Sequence, residues 1–257
     1  MDSLITDFET NGFTIVRGAI DPATIDACYE VIAHKVRACG IDLNDPSSWR
    51  DPVTRINCPE GPVFATAGTS PDLSKVYDQL LGSGRWRQRP GVGGTIPVRF
   101  PRTADPGDSG WHIDGSYDVN GQYRVNVNRR VRGLLALFLF SDVTEDDAPT
   151  EIIPGSHMHI PTILAPYGPD GVFFGDVVPA APKSLFDASR TLSVGTAGDV
   201  YVCHPFLVHR ATWPDRGSRP RVIAQPEIAH ADACREGLIC AMLIHRLPAR
   251  SRALDQK

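Results

Sequence analysis

A chain of 257 residues is long for one ordinary domain and normal for a single β-barrel domain with helical decoration, and it can bury a large core. Its 42% hydrophobic and 22% charged content excludes the disordered and membrane-spanning classes, and a formal charge of −4 with scattered basic residues excludes the basic stripe a nucleic-acid surface needs. Six cysteines with no C-x-x-C pair exclude a zinc ribbon or a disulfide scaffold and predict reduced, packing thiols.

The opening decapeptide MDSLITDFET lacks the basic start and apolar run of a signal peptide, which predicts a cytoplasmic protein. A short strand is expected over residues 12–18 (GFTIVRG). A helix follows, opened by Asp21 and Pro22, with Ile25, Cys28, Ile32 and Val36 recurring at helical spacing on its buried face. Residues 42–68 are rich in Pro, Asn, Asp and Gly and predict irregular loop with at most short helical pieces. A second helix is expected over residues 70–81, ending at Gly82.

After Gly91 the texture changes to short β-rich runs: residues 95–100, 110–117, 123–127, 131–140, 150–153, 191–194, 199–204 and 221–228. The most apolar of them, GLLALFLF, falls far below the roughly 18 to 20 residues of a transmembrane helix and suits a buried strand, so no membrane partner is expected. Short strands broken by turn signals predict a mainly β fold, a barrel or jelly roll with flanking helices, rather than alternating β-α units. The stretch PYGPDGVFFGD within residues 160–182 reads equally as an active-site lid or a surface excursion. With the hairpin at Asn120-Gly121 and the loop 42–68, it is expected to shape a pocket. The expected organisation is one domain over 1–257: a helical N-terminal part at 1–90, a barrel core at 91–230 and a C-terminal extension at 231–257.

Within GWHIDGSY, His112 and Asp114 stand two apart, and on a strand such residues share a face and can reach one metal ion. Alone the triplet carries little, because 8 His and 23 Asp supply about one H-x-D by chance, and a second copy exists at His230-Ala231-Asp232. Position separates them. After the first pair there is room for strands to fold a barrel back before CHPFLVHR brings His204 and His209. After the second pair only His245 remains. His204 and His209 are an odd number apart, so on a straight strand one points inward and the other outward. Two histidines and a carboxylate cover one face of an octahedral iron(II) and leave three positions open. Two of these would take the 1-carboxylate and keto oxygen of 2-oxoglutarate, whose far carboxylate needs a fixed cation. Arginine serves this with paired charge-assisted hydrogen bonds. Arg221, leading into the apolar VIAQP, is the expected anchor, with Arg219 on the same face as its competitor.

The ordered blocks FETNGFTIVRGAID, HIDGSY, APTEIIPGSH and GDVYVCHPFLVHRATWPDRGSRPR resemble the phytanoyl-CoA dioxygenase family of iron and 2-oxoglutarate oxygenases across most of the chain. The resemblance implies a double-stranded β-helix (jelly roll, cupin-like) with N-terminal helices around it. It also implies His112, Asp114 and His209 as metal ligands, and Arg221 as the 2-oxoglutarate anchor. It thereby selects His209 over His204. Relatives acting on acyl-CoA often carry Gln between the metal His and Asp and Ser two residues after the last His. Ile113 and Ala211 stand here instead, which disfavours an acyl-CoA substrate. Halogenating relatives replace the carboxylate that Asp114 retains, which disfavours halogenation.

The expected activity is therefore that of an Fe(II)- and 2-oxoglutarate-dependent dioxygenase, using O₂ to hydroxylate a C–H bond of a small-molecule metabolite with release of succinate and CO₂. Desaturation, epoxidation, ring closure and epimerisation draw on the same chemistry. The alternatives are a cupin-type metalloenzyme without 2-oxoglutarate and an inactive jelly-roll binding or sensor protein. Thr150 is a candidate cosubstrate contact or a satisfied strand-end hydroxyl, and His157 and His159 read as turn histidines. Arg99, flanked by apolar residues, needs an anionic partner if buried, whether a substrate or cosubstrate carboxylate or a structural Asp. Trp111, Tyr117 and Gln225 read as pocket walls or plain core. No oligomeric state is implied.

Overall fold

The computed structural model describes residues 2–127 and 132–231. The expected extension beyond residue 231, with Asp232 and His245 of the rival triplet, lies outside the described residues.

The chain opens with α1 (Asp2–Asn11), β1 (Phe13–Val16) and α2 (Pro22–Arg37). Helix α2 starts where the Asp21 side chain accepts from Thr24 N and Pro22 fills the first turn, and it buries Ile25, Cys28, Ile32 and Val36 as their spacing requires. Next come β2 (Val53–Asn57), α3 (Pro62–Gly68) and α4 (Pro71–Leu81). Ser70 caps α4 by accepting from Leu73 N at 3.3 Å, and Gly82, at φ 98°, ends it. The β-rich part comprises β3 (Thr95–Arg99), β4 (Tyr117–Val119), β5 (Gln122–Val125), β6 (Arg132–Leu139) and β7 (Glu151–Ile152). After the short helix α5 (Ile160–Leu164) come β8 (Val172–Phe173), β9 (Thr191–Leu192), β10 (Val200–Cys203), β11 (His209–Arg210), β12 (Ile223–Ala224) and β13 (Glu227–Ala229).

Mainly β architecture with several sheets results. The largest sheet runs β1-β10-β6-β12, with β13 also on β6. Bridges at Thr95↔Gln225 and Arg99↔Arg221 carry β3, and with it β2, onto the same surface. Past its opening Arg132, strand β6 is apolar because both of its faces are covered. Leu134, Ala136 and Phe138 pack with α2, α3 and α4. Leu135, Leu137 and Leu139 meet Phe13, Tyr201, Ile223 and, from the smaller sheet β11-β7-β9, Ile152. The two sheets therefore face each other across one core, and the outer face of the smaller sheet is covered by a third cluster around Ile113, Ile153, Ile160 and Val208. A separate sheet β4-β5-β8 stands as a flap.

Several expectations are corrected. The part over residues 1–90 holds more than helices: the strand expected at 12–18 forms as β1 and joins the main sheet beside β10, and β2 arises inside the segment expected as loop, paired along its length with β3. Residues 110–117 do not form a continuous strand. His112 makes an isolated bridge to His209, and regular pairing resumes only at Tyr117. The run 221–228 divides at Pro226, which has no N–H for the ladder, although its carbonyl still accepts from Ala136 N at 2.9 Å. Residues 160–182 carry α5 and β8, the latter paired with β5 of the flap.

Candidate metal centre

His112 and His209 face each other across two backbone hydrogen bonds, His112 N to His209 O at 3.0 Å and His209 N to His112 O at 3.1 Å. In each ring Nδ1 lies against a carbonyl two residues earlier, Gly110 O at 2.8 Å and Leu207 O at 2.9 Å. A neutral ring donating from Nδ1 keeps its Nε2 lone pair free for a cation. Asp114 is placed by its own N–H, which donates to Pro205 O at 3.1 Å. Ligand atoms of His112, Asp114 and His209 all lie within 4.8 Å of one another, and Asp114 Oδ2 is 3.3 Å from His209 Nε2. Two donors each roughly 2.1 Å from one ion, in adjacent positions, lie about 3 Å apart, so the observed spacing fits a shared metal. Two imidazoles and one carboxylate suit iron(II) and leave one side open.

The electrostatics of the three groups are coupled. Burial acts to raise the Asp114 carboxyl, yet the hydrogen bond from His209 and the positive charges of His209, His112 and Arg132 hold it well below the usual carboxylate range. Burial, then the charge of His209, lowers His112. Burial alone would lower His209 as well, but its hydrogen bond to Asp114 and that carboxylate's charge raise it.

A second polar group lies just ahead of β12, in the extended segment bridged to Arg99. Arg221, two residues before Ile223, shares its inward face. It is 1% exposed, its Nη1 donates to Ala148 O at 2.5 Å, and its Nε has no hydrogen-bond partner. Burial, then the charge of Arg99, pushes its pKa down to about 9 against the pull of Asp215, Asp108 and Asp147. A buried guanidinium with an unmet donor is a ready receptor for a carboxylate. Its cross-strand neighbour Arg99 has an anion already: Nη2 donates to both oxygens of Asp108, at 2.8 and 2.7 Å. Arg219 lies at the surface, 3.7 Å from Asp142, with a side chain 76% exposed.

The other candidates disperse. Thr150 is buried and its backbone exchanges hydrogen bonds with Ser193, Thr150 N to Ser193 Oγ and Ser193 N to Thr150 O, both at 2.9 Å. Trp111 packs with the outer cluster, on the face opposite His112, with the guanidiniums of Arg210 and Arg190 at 4.5 and 5.1 Å from its ring. Adjacent residues on an extended segment must point to opposite sides. The hydroxyl of Tyr117 accepts from Asn126 Nδ2 at 2.9 Å. Tyr117 lines an open cleft of about 510 Å³ with Asn120, Gln122, Arg124, Pro169 and Asp170, which joins the flap hairpin to the lid candidate. Gln225 is half-buried, and its backbone N–H donates to Thr95 O at 3.0 Å. His204 is taken up locally, its Nδ1 accepting from Phe206 N at 3.0 Å, and its ring lies 5.1 Å from that of His157.

Sequence reasoning missed a row of charges behind Asp114. Arg132 Nη1 is 3.7 Å from Asp114 Oδ1, Arg132 Nε is 3.2 Å from Glu227 Oε2, and Arg89 Nη2 is 2.7 Å from Glu227 Oε1. The available signal was an arginine at the mouth of an otherwise apolar strand, which must find an anion on the way in.

A sequence profile of the family described as phytanoyl-CoA dioxygenase (PhyH) matches residues 8–222. Comparison with curated protein sequences yields no significant match. Among solved structures, the non-haem alpha ketoglutarate dependent epimerase SnoN from nogalamycin biosynthesis is 17% identical, over 87% of this chain and 80% of its own, with a TM-score of 0.55. The carbocyclase SnoK of the same biosynthesis is 14% identical, over 88% and 82%, with a TM-score of 0.57. HygX from Streptomyces hygroscopicus, with nickel and 2-oxoglutarate bound, is 16% identical, over 88% and 85%, with a TM-score of 0.52. SnoN has also been crystallised with Fe3+, alpha ketoglutarate and nogalamycin RO, and HygX with hygromycin B. At these identities the likeness is one of fold.

Proposed function

We propose, from the premise that this chain belongs to the phytanoyl-CoA dioxygenase family and is a non-haem iron and 2-oxoglutarate-dependent oxygenase, that it hydroxylates a C–H bond of a small-molecule metabolite, releasing succinate and CO₂. The observation that carries this reading is the convergence of His112, Asp114 and His209 within 4.8 Å. These three residues would hold the iron. Iron and 2-oxoglutarate, when bound, would supply the oxidising chemistry, 2-oxoglutarate giving two of the electrons that reduce O₂ and leaving as succinate and CO₂. The protein supplies position and dryness. Arg221, buried and short of one partner, would take the far carboxylate of 2-oxoglutarate, and Thr150, two residues after the Ala148 carbonyl that holds Arg221, would line the same space. Arg99 pairs with Asp108, so its part is to crowd Arg221 with like charge and favour an incoming anion.

The facing sheets are read as the double-stranded β-helix of the family, within one unit over 1–257 whose core is 91–230 and whose flanking part is 1–90. The substrate enters past the flap, where the cleft beside Tyr117 lies. A small molecule fits the precedent of folds whose crystals hold nogalamycin RO and hygromycin B. The same fold serves an epimerase and a carbocyclase, so product analysis accompanies the test.

With Fe(II) and a panel of small hydroxylated metabolites, O₂ uptake and succinate release are expected only when 2-oxoglutarate is present, and His209→Ala is expected to abolish both. Turnover without 2-oxoglutarate would favour a cupin-type enzyme. Failure to bind 2-oxoglutarate, together with no 2-oxoglutarate-dependent turnover across the panel, would overturn the proposal.

A further inference from the structure

We infer that Arg132 is a positioning residue that restricts Asp114 to a single coordinating oxygen, an inference that rests on the iron site proposed above. The two oxygens of Asp114 meet different partners. Oδ2 lies 3.3 Å from His209 Nε2, where the ligand atoms converge, whereas Oδ1 lies 3.7 Å from Arg132 Nη1. Arg132 is itself held: its Nε is 3.2 Å from Glu227 Oε2, and Glu227 Oε1 accepts from Arg89 Nη2 at 2.7 Å. Arg132 opens β6 and Glu227 opens the neighbouring β13, so the row is mounted on paired strands. Charge alternates along Arg89, Glu227, Arg132 and Asp114. The side chains of Arg132 and Glu227 are only 25% and 27% exposed, which limits screening by water.

A carboxylate free at both oxygens can chelate a cation, and the second oxygen would then occupy one of the three positions that an N,N,O face leaves open. A guanidinium beside a cation repels it, so Arg132 is poorly explained as a device for metal affinity. It is well explained as a competitor for Oδ1, keeping that oxygen off the metal and the open face clear for the two donor atoms of the cosubstrate.

Mn(II), which resists oxidation, is the probe. The unaltered chain is expected to bind one Mn(II), and His209→Ala to lose it. Arg132→Met is expected to bind Mn(II) at least as tightly as the unaltered chain. Its bound ion should lose roughly a third of its water-proton relaxivity, as one of three waters is displaced. 2-Oxoglutarate should bind that Mn(II) form about tenfold more weakly. Arg132→Lys should restore part of both signals. Glu227→Gln, which leaves Arg132 charged but less held, should move both the same way by less, and thermal unfolding checks that each variant folds. Unchanged relaxivity and 2-oxoglutarate affinity in Arg132→Met would overturn the inference and leave the iron site standing. Failure of the unaltered chain to bind Mn(II) through His209 would overturn the site itself.

Discussion

Arg219 and Arg221 stand two residues apart and meet opposite environments. Arg219 is a solvated cation near Asp142, a pair of the kind that contributes little. Arg221 is enclosed, with Nη1 on the carbonyl of Ala148 and Nε unmet. Ala148 adopts φ 47°, a left-handed conformation unfavourable for an alanine, and in it offers its carbonyl to the guanidinium. With a pKa lowered only to about 9, Arg221 keeps its charge at neutral pH. Arg221→Ala is expected to weaken 2-oxoglutarate binding to the metal-loaded protein by about 3 kcal/mol, on the order of a hundredfold, while Mn(II) affinity stays within a few-fold. Arg219→Ala should change neither. Calorimetric titration of both variants separates the two arginines, and equal losses would move the anchor away from Arg221.

At the scale of elements, the segment carrying the candidate ligands His112 and Asp114 is thinly paired, since His112 is joined to β11 only by one bridge. The outer face compensates. Arg210, next to His209, covers the Trp111 ring and donates from Nε to Glu151 at 2.6 Å, while Arg190 approaches the same ring from another strand's edge. A cation–π contact contributes about 0.5–1 kcal/mol at a partly exposed site, and burial of the ring adds to it. Trp111→Ala is therefore expected to cost about 2 kcal/mol in urea unfolding and to weaken Mn(II) binding, with Trp111→Phe keeping most of both. Full Mn(II) affinity in a destabilised Trp111→Ala would mean that the clamp serves the fold alone.

The same elements mark where sequence was readable. Helices α2 and α4 were legible because cap, Pro and apolar spacing agree, as was β6, because a strand buried on both faces loses its alternation. The Asn120-Gly121 turn was legible from two residues that accept positive φ, 53° and 81°. Strand β2 was not, because it buries only Ile56 and owes its existence to pairing with β3, a long-range fact absent from local pattern. The convergence of His112 and Asp114 on one candidate site was legible because i, i+2 spacing survives even a single bridge. Arg132, Glu227 and Arg89 come from distant parts of the chain and meet only through folding, so no spacing announces them.

At the scale of the whole molecule, two buried groups give the stability curve opposing slopes. His157 packs against bare backbone at Gly12, where a Cβ would lie 2.4 Å from its Nδ1, and burial lowers its pKa to about 4 despite a backbone hydrogen bond with Glu9. Between the ordinary histidine value and about 4 the unfolded chain holds a proton the folded chain refuses, so this group's contribution falls as pH falls. Asp215 sits among the arginine-pocket charges, where burial, reinforced by Asp147, raises its pKa to about 6. Between about 6 and the ordinary carboxyl value the folded chain holds the extra proton, so this group's contribution rises as pH falls. Each effect amounts to ~3 kcal/mol over its full range, and the ranges overlap from about pH 4 to 6, so the two largely cancel there. Urea unfolding at pH 6.5 and 4.5 should separate them by difference, since groups common to all variants drop out. His157→Gln should gain stability on acidification relative to the unaltered chain by about 2 kcal/mol, and Asp215→Asn should lose a similar amount. The double variant should follow the unaltered chain, because the two sites lie in different parts of the fold and their effects should add. Parallel curves for His157→Gln and the unaltered chain would show that the folded protein admits the His157 proton, and with it that the N-terminal packing around Gly12 opens at acid pH.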